Sequence, residues 1–276
     1  MQKTERIWLD GRLVAWDEAQ VHVLTHSLHY GLAVFEGIRC YECHDGRSAI
    51  FRLREHVDRL YGSAHVLDLP MPFPREHLIE ACLETVRANR LRECYIRPIA
   101  FLGDGEMGLA ARPATRVAVA AWPWGAYLGD EGLRHGIRVK TSSFQRFHPN
   151  TLLTKAKASG HYVNSILASN EVRRAGYDEA VAALLADHAR HRDAVLQLLA
   201  ELGIPCREER FTRDEVYLAD EAFFTGTAAE VTPIRELDDR CIGDGKPGPT
   251  TRRLQELFFA IVRGRDDRRR SWLAYV

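Results

Sequence analysis

The run RVAVAAWPW, residues 116–124, is apolar at nearly every position. Its length and its valines read as a strand, and a strand without a polar face has to be covered on both sides. That requirement calls for layered helix and sheet, with this strand near the centre. The preceding residues supply both elements. IWLDGRLV is a hairpin, apolar alternation around an Asp-Gly turn. VFEGIRCYE alternates as a strand, HDGR turns it, and SAIFRL re-enters. REHVDRLYGSAHVL has helical spacing, with Val57, Leu60, Ala64 and Leu67 on one stripe. A proline-rich turn, LPMPFP, leads to the amphipathic helix REHLIEACLETVRANRL, and CYIRPIAFLG is a further strand.

GAYLGDEG breaks this pattern with glycines at 125, 129 and 132, and it is the best domain boundary. Beyond it come a strand (IRVKTSS), a polar loop (FQRFHPNTLLT) and a helix, KASGHYVNSILASNEVRRAG, that stops at Gly176. AVLQLLAELGI is another helix, CREERF a strand, and EVYLADEAFFTGTAAEVTPI a short helix, strand, glycine turn and strand. PTTRRLQELFFAIVRG is a helix opened by a Pro-Thr cap. The expected class is mixed α/β in two lobes: a small N-terminal domain over 1–124, an interdomain loop over 125–133, and a larger C-terminal domain over 134–276.

Charge narrows the partners. Lys+Arg and Asp+Glu are both 38, so no global field draws the chain to nucleic acid or an acidic membrane. No run approaches the ~18 apolar residues of a spanning helix, and MQKTERIWLDGRLV has no apolar signal core. Six cysteines in a chain of 276 residues fit reduced thiols in the cytoplasm. Cys40 and Cys43 form a lone CxxC whose strand context turns them to opposite faces, so a structural role is expected. His188 and His191 lack a third ligand, and no metal is expected.

Three features carry possible chemistry. TLLTKAKASGHY sets Lys155 and Lys157 among small and apolar neighbours, where a lysine can act as nucleophile or Schiff-base amine. By spacing alone, two solvated surface lysines are the better reading. REHVDRL places Arg54 and Arg59 near one end of a helix, an anion anchor. FTGTAAE offers a glycine turn whose N–H groups, with the Thr227 hydroxyl, can hold a phosphate or carboxylate. Together they describe a site needing an amine and several anion-binding groups.

HYGLAVFEGIRCY, RLREHVDRL, CYIRPIAF, PWGAYLG, TKAKASGHY, VRRAGYDE and YLADEAFFTGTAAEVTPI, taken in order, resemble the branched-chain amino-acid aminotransferases. These belong to the class IV, pyridoxal-phosphate-dependent group, which also holds D-amino-acid transaminases and aminodeoxychorismate lyases. The resemblance spans nearly the whole chain. It implies the two-domain fold of that class, with the C-terminal domain binding pyridoxal 5′-phosphate, and a homodimer or larger assembly. It implies amino transfer between leucine, isoleucine or valine and 2-oxoglutarate. By the same resemblance Lys157 is the catalytic lysine, Arg59 meets the cofactor phosphate, and Tyr162 meets its O3′. Thr227 and Ala228 match the loop that binds phosphate and substrate carboxylate. Tyr95 and Arg97 match the pair that reads acidic groups. Tyr30, Phe35 and Tyr127 match the wall that accepts branched side chains, although without the resemblance they read as core.

One departure stands out. The family continues from GYDEA through a strand, a Glu-bearing segment of S-E-G-x-G-E-N type, a hairpin, and a G-I-T-R-D turn opening a helix. This chain passes through EAVAALLADHARHRD instead, and neither SEG nor GEN occurs in it. The resemblance implies that the glutamate pairing with the cofactor's pyridine nitrogen is missing, and with it the Ile-Thr amides that hold phosphate. Arg190 and His191 fall in the latter places, and the larger domain is short of a segment near 183–190. FTRD at 211–214 imitates the lost motif, but its neighbours tie it to a later part of the pattern. An impaired or non-catalytic homologue, an inexact gene model, and a working enzyme with a substitute such as His191 all fit. A D-amino-acid transaminase or aminodeoxychorismate lyase-like member is a further alternative, against which FEGIR and YIRP argue.

Overall fold

A computed structural model of the chain describes every residue except 126, 149, 182–189 and 210, and the side chains at 190 and 191. It divides into two compact units. The first holds Met1–Trp124, His148–Tyr162 and Val262–Val276, and the second holds Gly125–Phe147 and Val163–Ile261. The stretch bearing Lys157 thus folds with the first unit.

In the first unit, β1 (Arg6–Leu9) and β2 (Arg12–Ala15) form the hairpin. Asp10 and Gly11 take φ of 48° and 98°, left-handed values that match a two-residue turn to the strand twist. After the short helix α1 (His26–Tyr30) come β3 (Ala33–Phe35), β4 (Ile38–Glu42) and β5 (Ser48–Phe51). Then follow α2 (Leu53–Val66), α3 (Arg75–Ala88), β6 (Cys94–Leu102) and β7 (Thr115–Trp122). Among the described residues the sheet has eight strands, ordered from Leu273–Tyr275 through β5, β4, β6, β7 and β1 to β2, with β3 beside β6. The sheet's middle belongs to β6, flanked by β4 and β7.

Alternation along these strands sorts the two faces. Cys94, Ile96, Ala100 and Leu102 of β6 join Val117, Val119 and Ala121 of β7 in the main core. Helices α2 and α3 cover that face with Val57, Leu60, Ala64, Leu78, Ala81 and Val86. The alternate residues of β7 are only half-buried, so RVAVAAWPW is sealed on one side and partly open on the other. VFEGIRCYE is not one strand. It breaks at Glu36 and Gly37 while β3 and β4 both remain paired to β6. The hydroxyl of Tyr95 occupies the space at the break, where a Cβ on Gly37 would lie 1.9 Å from it. Cys40 and Cys43 are both buried free thiols, the second lying just past β4.

The second unit runs through α4 (Gly129–His135), β8 (Ile137–Thr141), α5 (Tyr162–Arg174) beyond its first residue, β9 (Glu179–Val181), α6 (Arg190–Glu201) and α7 (Arg213–Tyr217). It continues with β10 (Ala222–Gly226), β11 (Glu230–Leu237), β12 (Arg240–Cys241) and α8 (Pro249–Val262). The sheet order is β10, β11, β8, β9, with β12 on β11, and β8 runs parallel to both of its neighbours. Ile137, Val139, Ile234, Leu237 and Ile242 make its core. CREERF is not a strand. Its described residues are exposed, and with four charges in six positions it has no apolar face to bury. The strand read in EAVAALLAD begins as β9, and α6 begins at Arg190, while the seam between them lies outside the described residues. Among the described residues no strand pairs with the far side of β9. No helix among them is long and apolar enough to cross a membrane.

The Pro-Thr start of α8 depends on a carboxylate from elsewhere. Glu221 accepts the N–H groups of Thr250 and Thr251, at 3.0 and 2.9 Å, and the Thr251 hydroxyl at 2.6 Å. Burial works against its charge, and these hydrogen bonds outweigh burial and lower its pKa. Replacing Glu221 with Ala is expected to remove about 1 kcal/mol of stability, the usual size of a lost N-terminal cap. Urea unfolding at neutral pH reads that loss directly.

Candidate active site

The face of β6 turned away from the helices carries Tyr95 and Arg97, two residues apart. Phe35 of β3 is paired with Ile99, which sets its ring diagonally beside Arg97. The Arg97 guanidinium lies 4.6 Å above the Phe35 ring, and its Nη2 donates to the Tyr95 hydroxyl at 3.2 Å. Arg97 Nε is buried without a hydrogen-bond partner among the described residues. Trp122 and Trp124 close round Tyr95 at ring distances of 5.3 and 4.5 Å. The result is one cationic group on an aromatic floor, suited to an acidic group beside an apolar one.

Lys157 reaches the same floor from the open edge of β3. The Phe35 N–H donates to the Lys157 carbonyl at 3.1 Å, and Val34 bridges Ala158 in antiparallel fashion. The loop therefore continues the sheet by one residue pair. Two glycines permit this, for a Cβ on Gly31 would sit 3.2 Å from the Gly160 backbone. The Lys157 N–H donates to the Ser63 hydroxyl at 3.0 Å. Its Nζ donates to the Tyr162 hydroxyl at 2.7 Å and lies 5.1 Å from the Phe35 ring, which packs 4.8 Å from Tyr162.

Glu36, at the strand break, points to the helix side and is fully buried. It accepts Nε and Nη2 of Arg59 and Nδ1 of His56, two residues one turn apart on α2. Burial alone would raise the Glu36 pKa. The bonds and charges of His56 and Arg59 overcome that and lower it to about 2. With Glu36 ionised, His56 Nδ1 carries the donated proton. Burial also keeps His56 from charging, lowering its pKa despite Glu36. Arg59 is thereby locked by two of its nitrogens, whereas Arg54 is exposed beside Glu76 at 3.5 Å. Lys155 is exposed as well.

The structure thus brings together Phe35, Tyr95, Arg97, Lys157 and Tyr162, with Arg59 fixed through the residue after Phe35. Tyr30 belongs to the same unit but stacks on His26 at 4.5 Å and is 43% exposed. Tyr127, Thr227 and Ala228 belong to the second unit. There Tyr127 is held off ionisation by burial and by the charge of Glu179. Thr227 and Ala228 form the turn between β10 and β11, and beside it Thr225 Oγ1 is buried without a partner among the described residues. Among those residues, no cluster of three or more His, Cys, Asp or Glu could hold a metal. Sequence reasoning missed Glu36, His56, Ser63 and the two tryptophans. For Glu36 a signal existed: it occupies the core-facing phase of VFEGI, between Val34 and Ile38.

The profile of the family "Amino-transferase class IV" matches residues 33–189 and 191–237, breaking at residue 190. The branched-chain-amino-acid aminotransferase of Pseudomonas aeruginosa is 46% identical, covering 98% of this chain and 97% of its own length. That alignment runs over 298 positions, more than the 276 residues present here, so the relative carries residues that this chain lacks. The crystal structure of the Escherichia coli branched-chain amino acid aminotransferase superposes with a TM-score of 0.95 at 42% identity, covering 98% of this chain and 99% of that one. The branched-chain amino acid aminotransferase of Thermobaculum terrenum, solved in its PLP-form, gives 0.91 at 32% identity, covering 100% and 99%.

Glu36 stabilises the fold only while it is ionised. Its folded pKa lies below the usual 4.5, so its contribution is complete above that value and is lost as pH falls toward 2. The shift corresponds to about 3 kcal/mol. Glu36→Gln is expected to be less stable than the parent by about that amount at pH 7, with the gap closing toward pH 2. Urea midpoints measured at pH 7, 4 and 3 follow it.

Proposed function

The chain belongs to the class IV aminotransferases, and from that premise we infer that it is a branched-chain amino-acid transaminase. It exchanges the amino group of leucine, isoleucine or valine with 2-oxoglutarate. One observation carries the reading at the site: the Lys157 amine stands 2.7 Å from a phenol on a peptide anchored at both ends. The names of its relatives are those of branched-chain enzymes, which leaves the D-amino-acid and lyase alternatives without support.

The donor set of the first unit fits pyridoxal 5′-phosphate: a primary amine beside a hydroxyl, and a guanidinium locked by a buried carboxylate. That cofactor supplies an aldehyde to carry the amino group and a ring to draw electrons from the reacting carbon. Lys157 holds the cofactor and then moves the proton at its own Nζ. Tyr162 orients Nζ through its hydroxyl. Arg59 binds the phosphate in one orientation, because Glu36 fixes its guanidinium. Thr227 and Ala228 offer the turn for phosphate and substrate carboxylate. Arg97 and Tyr95 hold the acidic group of glutamate, while Phe35, Tyr30 and Tyr127 accept a branched alkyl chain. An aromatic floor with the Arg97 guanidinium over it suits both substrates in alternate half-reactions.

We also propose a homodimer or larger assembly working in the cytoplasm. Val23, Leu28 and Leu109 are 71%, 63% and 84% exposed, an apolar surface that self-association would cover.

Lys157→Ala is expected to lose both the visible absorption of the cofactor-loaded protein and glutamate formation from leucine. A variant that keeps both would overturn the reading. Beside the Pseudomonas relative, turnover of this chain is expected to be about ten- to a hundredfold lower, the loss of one charge-assisted hydrogen bond to the ring nitrogen. Equal kcat values would show that another group fills the place of the missing glutamate.

A further inference from the structure

Ser63 takes no part in the roles assigned above, yet it is buried inside the unit that carries Lys157 and Arg59, being only 1% exposed. Its hydroxyl accepts the backbone N–H of Lys157 at 3.0 Å. Arg59 lies four residues earlier on the same helix, one turn away and on the same face. Helix α2 therefore carries the anion anchor and, one turn on, holds the backbone of the lysine, about 6 Å of helical rise apart. The loop bearing Lys157 has no regular structure of its own to keep this spacing. Its carbonyl is tied to Phe35 and its continuation to Gly31, through Gly160, but the peptide preceding the lysine has Ser63 as its acceptor.

We propose that Ser63 is a positioning residue for Lys157, and that α2 gauges the distance between the amine and the phosphate-binding guanidinium. This rests on reading Lys157 and Arg59 as amine and phosphate anchor. Without the hydroxyl, the Lys157 N–H has no acceptor among the described residues, and the peptide is free to turn about the fixed carbonyl. Nζ, at the end of the side chain, moves furthest. A reaction that depends on the placement of that nitrogen is sensitive to such a swing, whereas phosphate binding at Arg59 is not.

The test uses the full chain as Ser63→Ala, Ser63→Thr, Lys157→Ala and Arg59→Ala. Cofactor-free protein is mixed with pyridoxal 5′-phosphate, and the visible band is followed by stopped flow. In Ser63→Ala the band is expected to form about tenfold more slowly, the equivalent of one neutral hydrogen bond. The half-reaction with L-leucine is expected to slow by a similar factor with little change in KM. Ser63→Thr, which keeps a hydroxyl, restores both rates. The affinity for pyridoxal 5′-phosphate in the Lys157→Ala background, read by fluorescence quenching, is unchanged when Ser63→Ala is added. Parent-like band formation in Ser63→Ala overturns the proposal. So does an equal loss of phosphate-dependent affinity that Ser63→Thr fails to restore, since that marks general packing. If Lys157→Ala keeps the band, or Arg59→Ala keeps full affinity for the phosphorylated cofactor over pyridoxal, the underlying reading fails instead.

Discussion

The first unit depends on a negative charge placed where no water reaches it. Glu36 sits on the core side of a sheet, on the face that carries Val34, Ile38 and Ile96 among others, and alone such a carboxylate would be costly by several kcal/mol. Two neighbouring turns of α2 supply the remedy, one as a cation and one as a neutral donor. Because the remedy comes from a helix, satisfying the charge also fixes how α2 lies on the strand break. The same break positions Phe35, and Phe35 receives the lysine loop. Electrostatics in the core and geometry at the amine are thus one constraint seen from two ends.

Most of the fold was legible because its signals are local. The Asp-Gly hairpin, the stripe of α2 and the glycine stop after α5 each follow from a few adjacent residues. Two errors share a physical origin in tertiary context. VFEGIRCYE kept its alternation across Glu36 and Gly37, so nothing in the pattern betrayed a break that exists to admit the Tyr95 hydroxyl. CREERF, read as a strand, has four charged residues in a row and so nothing to bury. The site was legible through motif resemblance and hardly at all through spacing. Lys155 and Lys157 look alike in sequence, and only the bridge to β3 separates an exposed lysine from an anchored one. Ser63 was hidden because a serine on a helix face normally signals nothing.

The seam after β9 has a different character. A strand three residues long, parallel to β8 and bare on its other side among the described residues, is a short edge for a sheet of this kind. The family profile breaks one residue beyond the seam, at the start of α6. The amine, its phenol and the locked guanidinium all lie in the other unit, whose core is assembled from residues outside this region. The seam and the residues around the lysine thus belong to different units, and the register of the lysine loop on β3 is set within the first.

The strand Leu273–Tyr275 closes the first sheet against β5, more than two hundred residues earlier in the chain. A ribosome making this protein has thus to hold the first unit unfinished while the whole second unit is synthesised. Through that interval the β5 edge, Ala49 to Phe51, is an open row of backbone donors and acceptors on a strongly apolar strand. Folding in the cell should be governed less by the stability of either unit than by how long that edge stays unpaired.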